Sequence, residues 1–270
     1  MNWRILVWTG GILVGVVALM AIAAPLIAPW DPIQIDPLAI RQPPGGDHLL
    51  GTDANGMDVF SRLLYAARVD LLLALSAVGL AVVAGSAIGV FSGYVGGRTD
   101  TVIMRILEVI QSFPTFILAL AFAAFMRPGL VNLTLVIAFI SVPSYARLTR
   151  AEVRTVREMP YIEAAKTAGL PTTKILTRHV LPNSLSPVWV VAPLNVGWAM
   201  LALAGLSFLG LGVPVPEPEW GGMISQGMTD IVSGRLWTSV PPGLALVICV
   251  LGFSLIGEGL QQREVARRTR

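Results

Sequence analysis

Few side chains in this sequence could do chemistry, and they are far apart. The histidines are His48 and His179, the one cysteine is Cys249, and the 16 carboxylates are scattered along the chain. A single cysteine excludes both an internal disulfide framework and a thiolate metal cluster. Gly205, Gly210 and Gly212 have the composition of a phosphate-binding loop. No Gly-x-x-x-x-Gly-Lys-Ser/Thr pattern accompanies them, so the lysine and hydroxyl that would cradle nucleotide phosphates and Mg are missing. What remains is a polar island: Glu163-Ala164-Ala165, then Gly169, then His179-Val180-Leu181-Pro182. The Glu163 carboxylate could accept a charge-assisted hydrogen bond from a cation on another protein. Ala164, Ala165 and Ala168 give the island a small-residue face that a partner backbone could approach closely.

The elements that hold this island belong to a membrane. Hydrophobic residues make up 54% of the 270-residue chain and charged residues 13%, with a mean hydropathy of +0.73. That combination excludes an ordinary soluble domain. A hydrocarbon core of roughly 30 Å takes about 20 apolar helical residues per crossing. Six runs qualify: residues 5–28, 71–91, 103–126, 130–146, 188–209 and 240–256. They are continuously apolar rather than alternating, so the expected fold is all-α and polytopic, not a barrel. Arg4, the first run and Ala21-Ile22-Ala23 together resemble a cleavable signal, but the apolar part of a signal is only about 7–15 residues. The run 5–28 therefore reads as a retained crossing. The expected organisation is a first helix (1–28), an extracytoplasmic excursion (29–70), a core (71–258) carrying the island at 159–182, and a basic tail (259–270).

Lysine and arginine bias orients the crossings. Stretch 147–178 holds seven of them, the tail adds Arg263, Arg267, Arg268 and Arg270, and Arg98 and Arg105 fall on the same side. The segment 207–238 instead carries Glu217, Glu219 and Asp230 against Arg235. Both termini and the island are therefore expected in the cytoplasm, which also puts His48 and His179 on opposite sides and excludes a shared metal site. The net charge of +3 reads as topology rather than a nucleic-acid footprint. Trp3, Trp30, Trp189, Trp220 and Trp237 are expected at the interfaces, with Trp8 and Trp198 deeper in packing.

Two outer segments are irregular. Residues 29–68 are rich in Pro, Gly and Asp, which predicts turns. Within them, 58–68 places Val59, Phe60, Leu63, Leu64 and Ala67 on one side, with Arg62 and Arg68 off it. That spacing predicts an amphipathic helix along the surface or leading into the second crossing. Residues 210–222 mix Gly and Pro and cannot be a regular crossing; a partial dip back would need protein or water to cover it. In the island, Pro160 opens a short helix that Gly169 and Pro171 close. A second helix is expected over 172–179, capped by Thr172 or Thr173 and ending before Pro182. A loop packed under its own bundle is the plainer alternative to a docking surface. A stand-alone secondary transporter would carry ionisable groups near the midplane. Here Arg105, Glu108 and Gln111 cluster at the cytoplasmic start of the third crossing, Asp70 and Glu258 mark ends of crossings, and no inverted repeat is visible.

Glu163-Ala164-Ala165 with Gly169 and Leu181-Pro182 resembles the EAA motif by which permeases of ATP-binding-cassette importers dock on their ATPases. His179 stands where the general motif has isoleucine, but Arg178-His179-Val180-Leu181-Pro182-Asn183 is similar to the dipeptide, oligopeptide and nickel branch. The C-type permease subunit of that branch is also resembled by His48-Leu49-Leu50-Gly51-Thr52-Asp53 with Asp58 and Ser61-Arg62-Leu63. Further resemblances are Leu206-Ser207-Phe208-Leu209-Gly210-Leu211-Gly212 leading to Glu219-Trp220-Gly221, Ser112-Phe113-Pro114, Pro242-Gly243-Leu244 and Gly257-Glu258-Gly259-Leu260. Met57, Ser254 and Glu258 depart from the common arginine, asparagine and aspartate, and the usual Asp-Pro ending is missing. The resemblance implies a type I importer permease fold in the bacterial inner membrane and no catalysis by this chain. It implies a second permease subunit, two ATPase subunits carrying ATP and Mg, and an external binding protein. Peptides are its first implied cargo; nickel chelates, opines and glutathione are the others.

Overall fold

The structure is a computed structural model and describes residues 2–268. Met1, Thr269 and Arg270 lie outside the described residues, and with them the terminal charge expected of Arg270. Helix α1 (Trp3–Ile27) leads into the excursion, which returns as α2 (Val59–Val95). Next come α3 (Gly97–Ser112), α4 (Thr115–Phe125) and α5 (Leu130–Arg157). The island follows as α6 (Pro160–Thr167), α7 (Thr172–Ile175), a π-helical turn over Leu176–Val180 and α8 (Leu181–Ser184). Helices α9 (Ser186–Phe208), α10 (Trp220–Val232) and α11 (Val240–Arg268) complete the order. No strand forms among the described residues, only isolated bridges at Gly45 with His48 and Thr52 with Asp58.

Five helices are long and apolar enough to cross a membrane, and α3 with α4 supplies a sixth crossing if the bent pair counts as one. The third crossing, expected as one helix over 103–126, is thus broken: α3 and α4 meet at 87°. Pro114 has no N–H to continue the ladder and drives Phe113 into the extended region (φ −84°, ψ 139°), the restriction every proline puts on its predecessor. Other boundaries need correction in the opposite sense. The amphipathic helix expected at 58–68 and the crossing at 71–91 are one 37-residue helix. The crossing expected to end at 146 runs to Arg157, and the tail from 259 continues α11. Hydropathy marks only the part of a helix inside lipid, whereas backbone hydrogen bonding carries the helix on into water.

Helices α2 and α5 form the central pair, and small residues let them meet. A Cβ on Gly85 would lie 2.6 Å from the Tyr145 Cβ, one on Gly89 2.5 Å from the Ala146 carbonyl, and one on Gly93 2.9 Å from the Arg150 carbonyl. Glycine at every fourth position thus brings the backbones into contact, the packing mode of helices in lipid. Helices α1 and α11 use the same device: a Cβ on Gly10 would lie 2.5 Å from the Gly252 carbonyl, and Arg263 stacks on Trp3 at 5.3 Å. Leu203 and Leu206 of α9 and Ile137 of α5 fill the core between them.

The two ends of the bundle differ. At one, the excursion 29–58 and the segment 209–239 interlock. At the other lie the start of α1, the α2–α3 turn, the island and the end of α11. Trp8 is exposed on the bundle surface, as lipid-facing residues are, whereas Trp198 is partly exposed beside a hollow against α5 and α9. Trp220, expected as an interface anchor, is instead buried to 1% exposure and donates through Nε1 to the Leu63 carbonyl at 3.1 Å.

Candidate functional site

The island is a small unit bolted to one end of the bundle. Pro160 occupies the first turn of α6, where its missing N–H costs nothing. Gly169 then closes the helix at φ +74°, with its N–H on the Lys166 carbonyl (2.9 Å) and the Leu170 N–H on the Ala165 carbonyl (3.1 Å). That pair of bonds is the Schellman arrangement, and it needs a residue that tolerates positive φ. Ile162, Ile175 and Val180 are buried against Val153 and Val156 of α5, with Val90 and Tyr94 of α2 alongside. Burying three such side chains contributes roughly 5–9 kcal/mol as an upper bound, which fixes the unit to its support. Arg157 reinforces the joint by donating to the Tyr94 carbonyl at 3.0 Å.

Outward from that anchor, Glu163, Ala164, Ala168 and Gly169 are exposed, whereas Ala165, expected on the same small-residue face, is half-buried and packs against the anchor. The expected second helix differs in two ways. Its N-cap is Pro171, without a side-chain cap from Thr172 or Thr173, and the helix does not end before Pro182. The π turn instead lets the Leu181 N–H reach back to Leu176. Pro182 then falls in the first turn of α8. Beside it, two side chains bond back to carbonyls of the π turn: Asn183 Nδ2 donates to the His179 carbonyl at 2.6 Å and Ser184 Oγ to that of Val180 at 2.8 Å. His179, half-buried, thus takes part through its backbone and not as a helix terminator.

At the opposite end the structure brings together the other sequence-marked residues. Asp58 caps α2 by accepting from the Ser61 N–H (2.7 Å) and holds His48 Nδ1 at 2.9 Å; His48 packs on Trp30 at 5.1 Å. Asp53 accepts from the Asn55 (2.8 Å) and Met57 (3.0 Å) N–H groups. Thr52 Oγ1 accepts from Gln42 N at 2.8 Å and donates to the Ala39 carbonyl. Gly51 (φ +71°) sits where a Cβ would strike the Gln42 carbonyl at 2.4 Å. Arg62, expected off the apolar side, is 1% exposed. It donates to the carbonyls of Pro32 (2.9 Å) and Pro216 (2.8 Å) and pairs with Asp53 at 3.6 Å. Met57, in place of the common arginine, puts its Sδ 2.9 Å from Arg62 Nη1.

Glu219 caps α10 by accepting from Gly221 (2.8 Å) and Gly222 (2.7 Å). Burial pushes its carboxyl above the usual range, opposed by the Gly222 and Gly221 N–H groups that favour the charged form. Asp70, expected at the end of a crossing, is buried within α2 and accepts from the Trp220 N–H at 3.0 Å. Gly221 lets α10 cross α9, since a Cβ there would be 2.5 Å from the Ala204 Cα. These contacts tie the outer segments to α2, while Arg62 Nη2 is buried without a hydrogen-bond partner. Asp58→Ala removes both a cap and the histidine's partner. It is expected to cost about 1–2 kcal/mol, read as a melting midpoint roughly 3–8 °C lower in detergent; an unchanged midpoint would contradict the tie.

Sequence reasoning missed three features. Asp100 is joined to Arg150 and receives the Ser92 hydroxyl at 2.5 Å, locking α3 to α2 and α5. Arg41 pairs with Asp230 at 2.6 Å, a contact between distant residues with no local signal. A third group, Gln111, Ser144 and Asn195, lines one hollow beside the α3–α4 break, and only the Pro114 breaker hinted at it. Among the described residues no cluster of three or more His, Cys, Asp or Glu side chains is placed to hold a metal.

Comparison with known proteins agrees with this geometry. Residues 85–270 match the model for the binding-protein-dependent transport system inner membrane component, and residues 5–44 match the N-terminal TM domain of oligopeptide transport permease C. A dipeptide transport system permease protein of Alkalihalophilus pseudofirmus is 41% identical across 90% of this chain and 80% of its own length. A probable D,D-dipeptide transport system permease protein of Escherichia coli is 39% identical across 94% and 85%. A glutathione transport system permease protein of Pectobacterium atrosepticum is 36% identical across 91% and 82%. With a polytopic helical bundle in place and the family model covering more than half of it, the chain belongs to the binding-protein-dependent inner membrane components, the non-catalytic permease subunits of ATP-binding-cassette importers.

Proposed function

We propose that this permease admits di- and oligopeptides handed over by an extracytoplasmic binding protein, sharing the path with a second, homologous permease subunit. Two ATPase subunits bind ATP and Mg and dock on the island from Glu163 to Pro182. The chain lies in the bacterial cytoplasmic membrane with both termini and the island inside, as its arginine-rich ends favour. The observation that carries the mechanical part is the island itself: Glu163, Ala164 and Ala168 are exposed on a unit whose other side is buried in the bundle. The cargo assignment rests on the two dipeptide permeases similar along nearly the whole chain.

The test is uptake by the complete importer in vesicles, with labelled dipeptide, glutathione and a nickel chelate in parallel. ATP-dependent, binding-protein-dependent accumulation of the dipeptide at least about tenfold above the other two is the expected result. Preference for glutathione would move this chain to the cargo named for the Pectobacterium relative. Accumulation without ATPase subunits would overturn the importer mechanism.

A further inference from the structure

The bent third crossing leaves a hollow of about 220 Å³ against α5 and α9. Its polar lining consists of Gln111, Thr115, Ser141, Ser144 and Asn195, with Trp198 at its side. All six lie on elements that make up crossings, where a polar group facing lipid is costly. Nothing among them carries a charge. Gln111 Nε2 donates to Ser144 Oγ at 3.3 Å, while Gln111 Oε1 is buried without a partner. Ser141 spends its proton on the Ile137 carbonyl at 2.7 Å, leaving its lone pairs toward the hollow.

The backbone adds to this inventory. The last carbonyls of α3 have no helical partner beyond the break; the Ser112 hydroxyl takes only that of Val109, at 2.7 Å. Broken backbone at membrane depth is tolerated where it lines a water-filled or ligand-filled space. The volume falls below the ~300–1,000 Å³ of a complete small-molecule pocket. Ser144 and Thr115 are exposed, as are Phe116 and Ile117 on the adjoining face of α4, so the hollow is open on one side.

We propose that this hollow is this subunit's half of the cargo path, a weak uncharged site for the amide groups of a passing peptide, with Gln111 and Asn195 as the contacting side chains. The assignment rests on the importer reading above and adds residues and a recognition chemistry to it. Side-chain amides both donate and accept, as each peptide group of the cargo does. Without charge the site binds backbone and ignores side chains, and it holds weakly enough to release, which conduction requires.

Cys249 is the chain's only cysteine and is buried, which makes thiol labelling a clean probe. In the assembled importer in vesicles, with Cys249→Ser as background, Ser141→Cys is treated with a small hydrophilic thiol reagent, with and without binding protein carrying a dipeptide. Labelling is expected, slowed at least about threefold by cargo during ATP turnover. Separately, Gln111→Leu and Asn195→Leu are expected to lower dipeptide taken up per ATP hydrolysed by about fivefold each, the scale of one lost hydrogen bond. The amount of assembled complex should stay unchanged. No labelling at Ser141→Cys, labelling indifferent to cargo, or unaltered uptake per ATP in both leucine variants overturns the proposal while leaving the importer reading standing. A wild-type importer that takes up no dipeptide overturns the functional reading and the amide site with it.

Discussion

Glu163→Lys is expected to cut ATP-driven uptake by more than about tenfold while the permease accumulates normally in the membrane. The carboxylate is exposed in the first turn of α6, so reversing its charge costs the fold no more than about 1 kcal/mol of helix-dipole interaction. At a docking surface the same change replaces an acceptor by a repelling cation, and losing one partner of a charge pair costs about 2–5 kcal/mol, hence the tenfold or larger effect. Gly169→Pro should fail in the same assay for a different reason. Its φ of +74° is closed to proline, whose ring sets φ near −65°, and its N–H is needed by the Lys166 carbonyl. The turn between α6 and α7 would reopen, and the small-residue face would lose its orientation. Uptake and ATP hydrolysis are measured together in vesicles. Full coupled transport by both variants would remove the island from the coupling path.

The second large effect is structural. In Gly89→Leu the new Cβ would lie 2.5 Å from the Ala146 carbonyl and 2.8 Å from the Thr149 Cβ, both on the facing helix, so no side-chain rotation relieves the contact. Overpacking of this kind costs about 1–3 kcal/mol even where neighbours can shift, and here backbone must move. The melting midpoint in detergent is expected to fall by roughly 10 °C, with less protein recovered from membranes. Gly79→Leu on the same helix, where nothing lies within 4 Å of the new Cβ, should leave both unchanged. Equal behaviour of the two variants would mean that α2 and α5 do not pack as described.

Hydropathy made five of the crossings legible, because lipid demands long apolar runs, while the run at 103–126 became the bent pair α3 and α4. It left the ends of α2, α5 and α11 illegible, because the helices run on past the apolar stretch. Arg62 and Asp70 escaped for another reason. Both are held by backbone groups distant in sequence, the Pro32 and Pro216 carbonyls and the Trp220 N–H, and no local pattern encodes a partner some 150 residues away. The island was legible almost to the residue up to Gly169, since proline and glycine act through their own backbone. It became illegible at Pro182, where a widened turn carries the helix past a residue that ordinarily ends it. The hollow was invisible because its polar residues come from four helices and are individually ordinary.

From Thr172 to Phe208 the chain changes helical type but never becomes a loop: Leu185, the one residue between α8 and α9, keeps helical angles (φ −88°, ψ −8°). In mechanical terms this is a strut. A flexible linker would take up a push by reshuffling its conformers, whereas hydrogen-bonded turns transmit the displacement along their axis. Asn195 stands on the same strut, ten residues past Leu185, or about 15 Å at helical rise. Under the coupling proposed above, the island and the hollow are joined by one run of helical turns, bent at Leu185 and carrying Pro193 two residues before Asn195.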